Sequence, residues 1–225
     1  MLGSHNGTSK IYLTVGFGKI RQKSLENRQK VEKDTPGAVK RQTQAGADSW
    51  AIEHDFVSGT IENIFYKEDK QYGNSFEITL NDVADTYQLS LSETNRNCID
   101  FLKKLPNLDM TNKVKLTAYD FVDKLGKRRA GLSIEQDGQK ISSYYEQKQA
   151  DGTWKLLHKF PSGEGVNFKD DDDAKIYFIK VKKFLKAQFD EFFANHFNSK
   201  NAEPNMSHIE DAAPDISNEP DDLPF

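Results

Sequence analysis

Between residues 54 and 135 apolar and polar side chains alternate in short runs, and this period of two constrains the fold more than any other feature. Phe76, Ile78 and Leu80 alternate with Glu77 and Thr79, and Tyr87, Leu89 and Leu91 alternate with Gln88 and Ser90. Val114, Leu116 and Ala118 follow the same rule, as do Leu132 and Ile134. Successive side chains of a strand point to opposite faces, so each run predicts a strand with one buried face. Turn signals separate the runs at Tyr72-Gly73-Asn74, Asn81-Asp82, Leu125-Gly126, Asp137-Gly138 and Asp151-Gly152.

One helical pattern interrupts the strands. Thr94 to Leu105 places Cys98, Ile99, Leu102 and Leu105 on one face and stops at Pro106. The predicted order is strands at 54–66, 74–81 and 86–92, a helix at 94–105, strands at 113–122 and 128–135, and a further hairpin near 140–146 and 153–160. Three strands, a helix and two more strands resemble the order of an OB-fold, a five-stranded Greek-key barrel. Gly59 would supply the bend or bulge that a long first strand needs. The expected class is mainly β with helices (α+β): an OB-fold barrel with an N-terminal extension, a long C-terminal helix and a disordered acidic tail.

The flanks read differently. Ile11, Leu13, Val15 and Phe17 alternate like a strand, but residues 19–41 carry eight bases against three acids with almost no apolar side chain. That predicts a mobile basic loop or arm over 19–49. Residues 169–195 place Phe178, Val181, Leu185, Phe189, Phe192 and Phe193 at spacings of three and four, a long helix. Asp170 to Asp173 suit its start, where carboxylates meet the positive end of the helix dipole. A calcium loop would need spaced ligands and a glycine turn. Residues 201–225 hold four of the seven prolines, seven acids and no Lys or Arg, which predicts a disordered tail behind a single domain over 1–200.

Charge is distributed unevenly behind a net −4. Residues 1–50 carry nine bases against four acids, and residues 101–150 carry ten against six. Without the seven acids of the tail, 31 bases face 28 acids. A weakly basic body with an acidic tail points to a polyanionic partner. No run approaches the roughly 20 apolar residues of a membrane span, and the first residues lack the pattern of a signal peptide. A lone cysteine, Cys98, excludes an internal disulfide framework and reads as a small core residue.

Catalytic signatures are missing: no phosphate loop, nucleophile elbow, zinc helix or strand-linked dinucleotide loop occurs. The five histidines stand far apart, and neither a metal nor a cofactor is expected. Binding has more support. If Val114, Leu116 and Ala118 face the core, then Lys113, Lys115, Tyr119 and Phe121 share the opposite face. Cations that track phosphates beside rings that stack on bases suit single-stranded nucleic acid. Lys127, Arg128 and Arg129 lie in the turn between the fourth and fifth strands, and Lys67, Lys70 and Tyr72 between the first and second, the two loops that frame an OB-fold ligand.

The last residues are Asp221, Asp222, Leu223, Pro224 and Phe225. This ending resembles the acidic tip of bacterial single-stranded DNA-binding proteins and, more loosely, the acidic tails of phage members ending in an aromatic. The body is much longer than the compact bacterial domain, which fits a phage-type or divergent member. The resemblance implies non-specific binding of single-stranded DNA in replication, recombination or repair, no enzymatic activity, and a bacterial cytoplasmic setting with no membrane partner. It also implies that residues 221–225 recruit replication or recombination proteins. The alternative is an accessory protein that engages partners by the tip without coating DNA; a nuclease ranks third. Oligomeric state and the choice of DNA over RNA are not legible.

Overall fold

A computed structural model describes residues 10–25, 29–43, 46–83, 85–124 and 126–196, with side chains through 193. The strands are β1 Lys10–Gly16, β2 Lys19–Gln22, β3 Ala38–Gln42, β4 Asp48–His54, β5 Phe56–Lys67, β6 Ser75–Asn81 and β7 Thr86–Ser92. Helix α1, Arg96–Lys104, follows, then β8 Lys113–Val122, β9 Arg128–Gln136, β10 Gln139–Lys140, β11 Glu146–Lys148, β12 Trp154–Leu156 and helix α2, Asp171–His196. Ten strands form one mixed sheet in the order β10-β9-β8-β5-β6-β7-β1-β2-β4-β3, while β11 and β12 pair separately.

The central strands fall where the alternation puts them. Their inward residues form one core: Ile78, Leu80, Leu89, Leu116 and Leu132 are each completely buried. Full burial of one such side chain contributes about 1.5–3 kcal/mol. Cys98 and Phe101 enter this core from α1, and burial pushes the Cys98 thiol well above its ordinary range. The side chain of Asn95 caps α1 by accepting from the N–H of Asn97 at 2.7 Å. Past Lys104 the chain continues as a 3-10 turn, Leu105–Asn107, through Pro106. Asp170 caps α2, accepting from the N–H groups of Asp172 and Asp173. Phe189 of α2 sets its ring edge-on to Phe76 at 4.8 Å.

The five-stranded barrel expected from strand order is not formed as a closed ladder. β5 pairs with β6 and β8, β6 with β7, and β8 with β9, all antiparallel. The closing pair, β7 with β9, is missing among the described residues. β1 instead runs parallel along the free edge of β7, and α1 covers the edge of β9. There Asp100 accepts from the N–H of Leu132 at 3.2 Å, and the Lys104 ammonium donates to the Leu132 carbonyl. Two side chains thus satisfy the backbone groups that a neighbouring strand would have paired.

Two further expectations need correction. Gly59 is not the bulge, which falls between Ile61 and Asn63. Gly59 serves close approach, since a Cβ there would lie 2.8 Å from the Asn81 carbonyl oxygen. The basic stretch over 19–49 is not a loop or arm throughout, because β2, β3 and the start of β4 lie within it. Ile20 and Arg21 are buried. Arg21 donates to the Ser49 hydroxyl at 3.3 Å and stands 3.6 Å from Glu53, which Arg41 grips at 3.0 and 2.8 Å. That grip holds the Glu53 carboxyl below its usual range. Buried charge needs such partners.

Candidate nucleic-acid interface

The face of β8 opposite the core is built by register. Phe56 stands across from Thr117, Tyr119 across from Gly131 and Phe121 across from Arg129. Lys113, Lys115, Tyr119 and Phe121 therefore share this face with Phe56 and Arg129, as period two requires. Phe56 is 49% exposed and Phe121 54%. The Lys115 ammonium sits 4.8 Å from the Phe56 ring centre, and the Tyr119 and Phe121 rings are 6.0 Å apart. Rings beside cations on an open sheet face form a surface on which bases can stack.

Tyr119 is held differently from Phe121. Its ring crosses Gly131, where a Cβ would lie 2.5 Å from its hydroxyl and closer still to the Asp100 carboxylate. The hydroxyl faces Asp100 at 3.4 Å. Burial, then the Asp100 charge, raises its pKa. Tyr119 is half-built into the fold, whereas Phe121 is open to a ligand.

The cations of this face and its turn have carboxylate neighbours. Lys113 pairs with Asp82 at 2.6 Å, Lys115 with Glu135 at 3.4 Å, Arg128 with Asp120 at 2.7 Å and Arg129 with Asp123 at 2.9 Å. Exposed pairs of this kind contribute about 0–1 kcal/mol, so a phosphate can replace the carboxylate at small cost. The Lys127 side chain lies exposed in the turn beside them.

The structure does not bring the two predicted loops together. β5 and β8 are antiparallel, with Phe56 opposite Thr117 and Thr60 opposite Lys113. The turn between β8 and β9 therefore lies beyond the start of β5, and Lys67, Lys70 and Tyr72 lie at its far end. Lys67 is 3.7 Å from Asp69, Lys70 is exposed, and the N–H of Tyr72 donates to Asp69.

A cleft of about 290 Å³ opens beside the β8–β9 hairpin, with Tyr119 bordering both it and the open face. The β1–β2 turn, the start of α1 and Phe178 and Lys182 of α2 contribute to its walls, together with Tyr119, Asp120 and Arg128. Sequence reasoning missed Phe56, Phe17, Arg96 and Lys182. Phe56 lies near the start of the predicted first strand, and its place opposite Thr117 follows only from strand pairing; the others meet only through tertiary packing. Among the described residues no group of three or more His, Cys, Asp or Glu is placed to hold a metal ion. Asp221, Asp222, Leu223, Pro224 and Phe225 lie outside the described residues. The chain matches no family model, no curated protein and no solved structure.

Proposed function

We propose that this chain binds single-stranded DNA without sequence preference in replication, recombination or repair, as a non-enzymatic protein of phage or divergent bacterial type acting in the bacterial cytoplasm. The observation that carries the reading is the open face of β5, β8 and β9, where Phe56 and Phe121 lie exposed among Lys115 and Arg129. Cations neutralise phosphates while the rings stack on splayed bases at about 1–3 kcal/mol each. An OB-fold relationship is part of the proposal. It is supported by the antiparallel chain of pairs β7-β6-β5-β8-β9 with α1 between the third and fourth of these strands in sequence. No helix among the described residues is long and apolar enough to cross a membrane.

The test is titration of a labelled oligo-dT and the matching duplex at two salt concentrations. Single strand should bind more tightly, with log affinity falling by about 0.7 per phosphate contact for each unit of log salt. Equal affinity for duplex, or none for either, sinks the reading.

A second reading draws on the ion pairs. Because Lys113, Lys115 and Arg129 already face carboxylates, as Arg128 does in the turn beside them, the face and its turn have little net charge. A protein that recruits replication or recombination proteins through residues 221–225 without coating DNA would need no more. In both readings Phe225 anchors the tip in an apolar pocket of the partner, with Asp221 and Asp222 on a basic rim. Deleting Phe225 should abolish partner capture in pull-downs and leave DNA binding unchanged. Recovery of the same replication proteins without Phe225 would remove the tip from both readings.

A further inference from the structure

The turn between β1 and β2 holds a side chain in a conformation that it disfavours. Phe17 has φ +54° and Gly18 φ +69°, the two positive angles of a type I′ turn, where Asn-Gly is a favoured pair. A bulky residue there is an outlier that its surroundings must hold in place. Gly18 packs so closely on β8 that a Cβ would lie 2.7 Å from the Asp120 nitrogen. The Arg21 and Arg41 guanidinium groups stand 4.9 and 6.0 Å from the Phe17 ring centre, and Glu53 pairs with both. The ring is not used in the core. It is 37% exposed and lines the cleft.

Two independent observations say what would meet it there. Arg96 and Lys182 line the same cleft and form no ion pair or hydrogen bond among the described residues. Asn97, 7% exposed, also lines it, and its buried Oδ1 has no hydrogen-bond partner. A ring, two unpaired cations and a buried acceptor, in a cavity near the lower end of the range for small-molecule sites, match one nucleotide. We propose that the cleft takes a single unstacked nucleotide, with its base on Phe17, its phosphate against Arg96 and Lys182, and a base amine toward Asn97. This deepens the proposed strand binding and rests on it. The β8–β9 hairpin borders both places: Phe121 and Arg129 belong to the open face, Asp120 and Arg128 to the cleft. A strand crossing the hairpin can therefore turn one nucleotide into the cleft.

The test uses the full chain, a short oligodeoxyadenylate and the mononucleotide dAMP. Phe17→Asn puts a favoured turn residue in place of a disfavoured one. It should melt at or above the wild-type temperature and bind the oligonucleotide roughly 5- to 150-fold more weakly. Phe17→Trp should retain binding. Arg96→Ala combined with Lys182→Ala should flatten the salt dependence by about 0.7 for each phosphate that is no longer neutralised. dAMP should shift the Phe17 ring resonances in the wild type. Equal oligonucleotide affinity in the wild type and Phe17→Asn, a large fall in melting temperature on Phe17→Asn, or no response to either probe overturns the pocket. Phe17-dependent binding of dAMP without oligonucleotide binding supports the pocket and overturns the strand-binding reading.

Discussion

Two groups of aromatic side chains lie on the two faces of the same sheet and have opposite surroundings. On the inner face Phe76 is 1% exposed, with Phe189 of α2 edge-on to it and Tyr66 5.0 Å away. On the outer face Phe56 and Phe121 are about half exposed, and cations, not other elements, stand over or beside them. Both groups obey the same alternation of side chains along strands. What separates them is coverage: α2 packs on one face and no described element covers the rings of the other. Alternation assigns a ring to a face, and only the packing of later elements decides whether that face is a core or a binding surface.

The contrast can be broken by mutation. The largest effects belong to the inner face: Phe76→Ala should cost about 3–5 kcal/mol in urea denaturation. A loss under about 1 kcal/mol would mean that the α2 packing is dispensable. Glu53→Gln should cost a similar amount, because it leaves the buried Arg21 charge without its carboxylate. Glu53 also sets an acid limit, chiefly through its hydrogen bonds with Arg41. The folded Glu53 has a lowered pKa, so its contribution is fully present above the ordinary glutamate range and is lost as pH falls through the lower folded value. Acid denaturation of Glu53→Gln should lack that component, and identical pH profiles for the two proteins would remove Glu53 from the account.

The outer face should respond in binding and not in stability. Phe121→Ala should weaken oligonucleotide binding by about 1–3 kcal/mol with the melting temperature unmoved. A drop in melting temperature with normal binding would show that the ring is structural after all. The smallest effect is expected for Lys113→Ala, whose exposed pair with Asp82 should be worth less than about 1 kcal/mol by thermal melting. A larger loss would show that the outer ion pairs hold the sheet together and are not exchangeable for phosphate.

The central strands were legible because each carries its own apolar face. Ser75–Asn81, Thr86–Ser92 and Lys113–Val122 match the runs read from alternation within a residue, and Asp171–His196 matches the long helical pattern. β2 was not legible, because Arg21 is buried by a carboxylate far along the chain and a charged side chain announces exposure in any local window. The missing β7–β9 pair was equally hidden: strand order is unchanged when Asp100 and Lys104 stand in for a ladder. For the candidate site, the face shared by Lys113, Lys115, Tyr119 and Phe121 followed from the period alone. The cleft did not, since Phe17, Arg96 and Lys182 come from three elements with no common spacing.

The parallel pairing of β1 with β7 also sets an order of events during synthesis. Lys10 lies opposite Thr86 and Leu13 opposite Leu89, so the first described strand to leave the ribosome must wait for the seventh. Until then β1 can pair only with β2, which joins β4 and β3, and its other edge stays open. The local pairs β5-β6-β7 can form early, while insertion of β1 closes a long loop and belongs to the slow part of folding. That open edge of β1, with Ile11 and Leu13 along it, is the segment that a chaperone, or a second nascent copy, would meet first.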